Sequence, residues 1–364
     1  MSRWTAVLIS FVSVLGMHDM AAGAPGTLRV DLGAQQLEGM PVHWTEGAVQ
    51  LLGRDGALWE FAPNATKGFQ QQSATFVPYS QAELRGQLLR EFGAGYEVTG
   101  TGHFLVVHPA GRGELWSDRF EQLYGSIMHY FTARRFRLSK PQFPLVAVVF
   151  PSQQAFMRYA QQDGGPVSPN VLGYYSIRTN RNVLFEQGPS KDEPQSWLET
   201  ADTIIHEATH QTAFNVGVHS RHALPPRWLA EGLGTMFEAR GVWDSRQYSE
   251  LADRLNAGRL RDYRHFAAAG ATRPRGQLLG ELVAHDRIFS ANPAEAYAYG
   301  WALTFYLAER HTSKLSRYLQ LTADRPPYEP YSSSQRLEDF VRVFGTKLEL
   351  FDTHFVQFME SLPR

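Results

Sequence analysis

The run His206-Glu207-Ala208-Thr209-His210 sets two imidazoles four residues apart with a carboxylate between them. On a helix, positions four apart stack on one face with Cβ atoms roughly 5–6 Å apart, so both rings can address one metal ion. Glu207 then points beside that ion. A tetrahedral zinc with three protein ligands keeps its fourth position for water, lowers the pKa of that water towards about 7, and needs a base to take the proton. Glu207 fits the base. The third ligand comes from Trp228-Leu229-Ala230-Glu231-Gly232. Pro225 and Pro226 are good openers for a new helix, which carries Glu231 one turn in, on a segment that can fold back on the first. The expected centre is therefore Zn2+ held by His206, His210 and Glu231.

Other polar residues compete for parts of this chemistry. Glu238 lies seven residues after Glu231, two helical turns on and on the same face. It can take the second N–H of His206, as carboxylates behind ligating imidazoles do, although a solvated Glu near a helix end has the same spacing. His219 and His222 offer imidazoles in place of Glu231, but they fall in a loop flanked by Gly and Pro where no helix fixes their direction. His285 beside Asp286 reads either as a surface pair or as a second donor to a substrate oxygen. Asp202, one turn before His206, reads as solvated or as a support behind a ligand.

The elements that must position these groups show in the surrounding pattern. Ser196-Trp-Leu-Glu199 is a capping box that would start the helix bearing His206. Gly173 to Tyr175 and Asn182 to Phe185 read as a strand pair just ahead of it. Further upstream, Ser80-Gln-Ala-Glu83 is a capping box opening an amphipathic helix through Leu84, Leu88 and Phe92, which Gly93 ends. Strands follow at Tyr96 to Val98 and His103 to Val107, a helix from Leu115 to Phe131, a continuous apolar strand from Leu145 to Phe150, and a helix from Ser152. Beyond Gly232 the pattern is helical, including Tyr248 to Leu255, Glu295 to Arg310 and Thr346 to Leu362, with a Pro-rich loop from Arg325 to Pro330.

The two metal-binding segments together resemble the gluzincin metallopeptidases, whose second helix supplies a Glu within a Trp-Leu-x-Glu-Gly run. A metzincin would need Gly at 213 and His at 216, where this chain has Ala213 and Val216. Glu231 stands 21 residues after His210, slightly more than is usual among gluzincins, and extra loop residues among Gly217 to Ala223 absorb the difference. Tyr297-Ala-Tyr-Gly-Trp-Ala-Leu303 is similar to the helix that follows the zinc helices in aminopeptidase-like gluzincins. By that alignment Tyr297, not Tyr299, is the catalytic residue whose hydroxyl polarises the scissile carbonyl. Tyr297, Trp301 and Phe305 also form a plain aromatic stripe of the kind that packs cores. In the gluzincin arrangement an edge strand hydrogen-bonds an extended substrate, which assigns that place to the hairpin at 173–185. The zinc helix reads His-Glu-Ala-Thr-His-Gln through Gln211, as in secreted bacterial gluzincin-like proteins of unassigned substrate, and the likeness extends from about Phe76 to the C-terminus. The Gly-x-Met-Glu-Asn run that grips a free amino end in aminopeptidases is missing.

Composition fits a globular enzyme: 364 residues with 43% hydrophobic content can bury a large core, and a net charge of −1 provides no global field for nucleic acid or anionic lipid. Cysteine is absent, so stability comes from packing and metal. Arg3, the apolar run Ala6 to Met17 and the small residues Ala21 to Ala24 read as a secretory signal peptide, cut at Ala22 or Gly23, with an uncleaved anchor as the other reading. The expected location is the bacterial periplasm or outside, with no stable membrane insertion after cleavage. Residues 25–75, with Val42-His-Trp44, Ala48 to Leu52 and Leu58 to Phe61 separated by turns such as Arg54-Asp-Gly56, read as a small β module, and Gln70 to Gln72 as a linker. The expected fold is α+β: this module, then a gluzincin-like metallopeptidase domain over 76–364, in which an α/β sublayer with an edge strand faces a helical lobe across the zinc cleft. The expected function is zinc-dependent hydrolysis of peptide bonds in a peptide or protein substrate. A zinc-bearing peptide-binding or scaffold protein without turnover, and a hydrolase of other amides or esters, use the same residues.

Overall fold

The structure, a computed structural model, describes residues 26–111, 113–166, 168–186, 194–270, 273–274, 276–345 and 347–363, with backbone only for 113–115 and 194–201. The expected signal peptide and the Ser196 side chain lie outside what is described. The chain is α+β. It divides into two compact units, one ending at Arg54 and resuming over Trp59–Pro78, the other comprising Asp55–Leu58 and Tyr79–Arg364.

The first unit is an open antiparallel sheet of β1 (Thr27–Asp31), β2 (Gln36–Trp44), β3 (Val49–Gly53), β4 (Leu58–Phe61) and β5 (Gly68–Ser73), in the order β4-β3-β2-β1-β5. Val30, Leu37 and Leu51 are buried together at its centre. Gln70 to Gln72, expected as a linker, belong to edge strand β5, where Gln70 pairs with Arg29 and Gln71 with Leu28. Their side chains are exposed, so nothing in their composition announces the backbone ladder they complete.

The second unit opens with α1 (Gln81–Phe92), β6 (Tyr96–Gly100), β7 (Phe104–Pro109), α2 (Gly113–Ala133), β8 (Leu145–Phe150), α3 (Gln153–Asp163), β9 (Gly173–Ser176) and β10 (Arg181–Phe185). The sheet order is β6-β7-β8-β10-β9. β7, β8 and β10 run parallel, while β6 and β9 are antiparallel at the two edges. Every residue of β8 is buried, and because side chains alternate across a strand the sheet divides two cores. Leu145, Ala147 and Val149 join the side covered by α2, while Val146, Val148 and Phe150 join Leu84 and Leu88 of α1 and Phe156 and Ala160 of α3. Ser80 caps α1 through a capping box with Glu83, Ser152 caps α3, and Gly93 ends α1 at φ 68°.

Ten further α-helices follow among the described residues: α4 (Pro194–Asn215), α5 (Arg227–Phe237), α6 (Arg240–Trp243), α7 (Ala257–Ala269), α8 (Gln277–Ala284), α9 (Ile288–Ala291), α10 (Pro293–Arg310), α11 (Thr312–Ala323), α12 (Ser333–Phe344) and α13 (Leu348–Glu360). α4 begins two residues before the expected cap at Ser196. The helix expected over Tyr248 to Leu255 is a 3-10 turn at Ala252–Arg254. Asn256 accepts from the Arg259 N–H and starts α7 only after it. Arg254 is held by both carboxylate oxygens of Glu309, 3.0 Å each.

Candidate metal centre

α4 is fixed against the sheet by its side away from the metal residues. Gln211, fully buried, donates to the carbonyls of Val146 and Asn180, 2.9 Å each, and accepts from Asn182 at 2.8 Å. Asn215 and Asn180 exchange side-chain hydrogen bonds of 2.7 and 2.9 Å, and the Tyr175 hydroxyl donates to Asn180 at 2.7 Å. Asn180 turns the β9–β10 hairpin at φ 59°, a left-handed conformation that Asn tolerates better than most residues. The hairpin and α4 are thereby joined. One result is a direct contact between the two: the Tyr175 N–H on edge strand β9 donates to Glu207 Oε2 at 2.7 Å.

α4 ends at Asn215, and the N–H groups of Val218 and His219 return to the Ala213 carbonyl after Gly217 at φ 86°. The chain re-enters as α5 with Pro226 at the N-cap. Asp286 Oδ1 accepts the Arg227 N–H at 3.0 Å, satisfying an N–H that a helix start would otherwise leave without a partner. α5 buries Trp228 and Leu229. Its two glycines set how closely it is approached. A Cβ at Gly232 would stand 2.2 Å from Thr304 Oγ1 and 2.4 Å from the Gly300 carbonyl oxygen, so α10 packs directly on α5 there. A Cβ at Gly234 would stand 2.8 Å from His206 Cε1 and 3.0 Å from both ring nitrogens.

These approaches bring the donors together. His206 Nε2 and His210 Nε2 are 3.0 Å apart, and Glu231 Oε2 lies 3.4 Å from the first and 3.6 Å from the second. Donors on a tetrahedral ion at about 2.0–2.1 Å stand about 3.3 Å from one another, so the set fits a zinc-sized cation in spacing and in its two-nitrogen, one-oxygen chemistry. His206 Nδ1 meets Glu238 Oε1 at 2.9 Å. A proton on Nδ1 leaves Nε2 with its lone pair facing the other donors. Burial disfavours the charged imidazolium of His206, yet hydrogen bonds to Glu231 and Glu238 outweigh it and hold the pKa well above the ordinary imidazole value. Burial likewise opposes ionisation of Glu231, and its bonds to the two histidines outweigh that, holding it well below the carboxylate range. Both shifts favour positive charge at the centre of the cluster.

Tyr297, in the second turn of α10, reaches the same place. Its hydroxyl lies beside Glu231 and Arg227, and burial followed by the Glu231 charge pushes its pKa far above the ordinary phenol value, so it remains a donor at neutral pH. Tyr299 instead packs edge-on against Tyr263, centroids 4.9 Å apart.

The remaining candidates go elsewhere. Among the described residues the cluster able to hold a metal is His206, His210 and Glu231, without His219 or His222. His219 is buried with neither ring nitrogen hydrogen-bonded, and burial followed by the His210 charge lowers its pKa to about 3. His222 Nδ1 and the Tyr328 hydroxyl share a hydrogen bond of 2.6 Å. His285 Nδ1 bonds Ser333 at 2.8 Å, and Asp286 pairs with Arg336 at 2.8 and 2.9 Å besides capping α5. Asp202 is exposed. No motif in the sequence marks Asn256 as part of this site. It donates to Glu238 Oε2 at 2.7 Å and to the Thr235 carbonyl at 3.2 Å while capping α7, so it steadies the partner of His206.

A family model described as a protein of unknown function (DUF1570) matches residues 200–329. No curated protein matches the chain. Among solved structures the chain is similar to an M1 zinc metallopeptidase from Deinococcus radiodurans, at 15% identity over 74% of this chain and 52% of that one, TM-score 0.39. A point mutant of that peptidase bound to a Tyr-Ser-Ala substrate matches at 16% identity over 73% of this chain and 51% of that one, TM-score 0.38. The chain spans about half the length of the structures it matches. Among the described residues no helix is long and apolar enough to cross a membrane.

Proposed function

We propose that this protein is a zinc-dependent hydrolase of peptide bonds, of the gluzincin type, with His206, His210 and Glu231 as metal ligands and Glu207 and Tyr297 as catalytic residues. The observation that supports it most is the convergence of two imidazole nitrogens and one carboxylate oxygen within 3.0–3.6 Å of one another. Zinc held there would supply Lewis acidity, acidifying water and polarising a carbonyl. Glu207 takes a proton from the attacking water and hands it to the leaving amine. The Tyr175 N–H holds that carboxylate in one orientation. Tyr297 donates its hydroxyl hydrogen to the carbonyl oxygen as negative charge grows there. Glu238, itself held by Asn256, keeps the proton of His206 on Nδ1. β9, the outer strand of its sheet, offers backbone groups to an extended peptide. In this reading residues 25–75 are a separate β module and the N-terminal segment exports the protein to the periplasm or beyond.

The test is metal analysis of the purified protein, then cleavage of a quenched peptide panel with chelator, without it, and after zinc is restored. Activity should vanish with chelator and return with zinc. Glu207→Gln should keep zinc and lose about 100- to 10,000-fold in turnover, the usual contribution of a positioned general base. A variant as fast as the parent overturns the assignment of the base. A zinc-loaded parent that binds peptides and cuts none is a binding protein.

A further inference from the structure

Arg227 has no part in the mechanism above, yet it is fastened into the site from several directions. Its Nε donates to Glu231 Oε1 at 3.3 Å, its guanidinium stands beside the Tyr297 hydroxyl, and its Cζ lies 4.7 Å over the Phe289 ring. Its main-chain N–H is held by Asp286, which fixes the turn that carries it. Even so, the side chain is 44% exposed. A guanidinium presents five N–H donors in one plane, so this one retains donors towards solvent while its position is set by its neighbours. On the ring face of Tyr297, the Arg259 Cζ stands 5.4 Å from the centroid, and its partner Asp262 is exposed and 3.5 Å away.

With a divalent cation in place, Glu207, Glu231, Glu238 and Asp262 would be balanced by the cation, Arg227 and Arg259, so the acidic ligands would not repel an anionic guest and the part-exposed Arg227 would be free to attract one. A held, planar guanidinium with open donors binds a carboxylate through two parallel bonds, which an ammonium cannot reproduce. We propose that Arg227, supported by Arg259, is a specificity-determining anchor for a substrate carboxylate close to the bond presented to His206, His210 and Glu231. The favoured substrates are then peptides with a carboxylate near that bond, supplied by the chain terminus or by an Asp or Glu side chain. This rests on the peptidase reading of the same site.

The test measures binding on zinc-loaded Glu207→Gln protein, so that it does not depend on turnover. One short peptide is made in three forms: amidated with Gln beside the bond, amidated with Glu there, and with Gln and a free C-terminus. At least one acid form should bind about tenfold or more tighter than the neutral form, the scale of a charge-assisted pair, and the tighter form identifies the source of the carboxylate. Adding Arg227→Gln should abolish that preference while moving neutral-peptide affinity by about twofold or less and zinc affinity, from chelator competition, by about threefold or less. Arg227→Lys should restore part of the preference, and Arg259→Gln should weaken it less than Arg227→Gln does. Equal binding of all forms, no binding of any, or an equal loss for all forms with weakened zinc would overturn the proposal, the last assigning Arg227 to holding Glu231 and Tyr297. Carboxylate preference in a protein whose parent cuts no peptide would overturn the peptidase reading and leave the anchor in place.

Discussion

Helix α4 has two polar faces, and they are held in opposite ways. On one, His206, Glu207 and His210 meet carboxylates and a backbone N–H in a charged, partly open cluster. On the other, Gln211 and Asn215 meet neutral amides and carbonyls of the sheet and the β9–β10 hairpin, with Gln211 fully buried. Carboxylates and imidazoles packed this closely are tolerable only if something else determines where the helix lies. Neutral amides do that without adding charge, and each bond is strengthened by its dry surroundings. The comparison implies that the position of α4 does not depend on metal, and that the two faces fail differently when altered.

The larger effect is expected on the anchoring face. Gln211→Leu keeps the approximate volume but deprives the Val146 and Asn180 carbonyls and the Asn182 amide of their partner. Leaving such buried groups unpaired should cost about 3 kcal/mol of stability in total, measured by denaturant unfolding with chelator present. Zinc affinity of the folded variant should stay within about threefold of the parent, because no donor atom is touched. A cost below about 1 kcal/mol would mean that apolar packing positions α4 and the amides are incidental.

The metal face should show the reverse. In Gly234→Ala the new methyl would lie 2.8 Å from His206 Cε1, and the ring cannot retreat without loosening its 2.9 Å bond to Glu238. Overpacking of this kind costs about 1–2 kcal/mol in the chelated protein, and the displaced imidazole should weaken zinc binding by about tenfold or more. Unchanged zinc affinity would show that α5, and not the His206 ring, moves to make room.

The two faces also differ in how far they were legible. His206 and His210 share a helix face by spacing alone, Glu238 follows Glu231 at a helical offset, and the buried strand Leu145–Phe150 announces itself by an unbroken apolar run. These signals are local. The anchoring face is made of contacts 29 to 65 residues apart in the chain, and Asn180, Asn182 and Asn215 carry no periodicity that would pair them with α4. Asp286 adjoins His285 in the chain, but its partners are Arg227 and Arg336, reached by folding α5 and α12 onto the segment between α8 and α9. Tyr248 to Leu255 had helical spacing without a cap, and the cap that was present, Asn256, belonged to the next helix.

A smaller and more diffuse effect should come from the loop joining the two metal helices. Burial, then the neighbouring Arg221 charge, lowers the His222 pKa to about 4, and its Nδ1 shares a 2.6 Å hydrogen bond with the Tyr328 hydroxyl. In the unfolded chain the same imidazole titrates near 6.5. Between pH 6.5 and 4 the unfolded state therefore binds a proton that the folded state refuses, so this contribution to stability is whole above about pH 6.5 and is lost as the pH falls towards 4. With chelator present to remove metal linkage, the parent should lose about 1–2 kcal/mol to this group between pH 7 and pH 5. His222→Gln should reduce the drop measured by denaturant unfolding at the two pH values by that amount. An equal drop in parent and variant would place the acid sensitivity in the charged cluster of α4 instead, and the loop would then play no part in separating the two faces by pH.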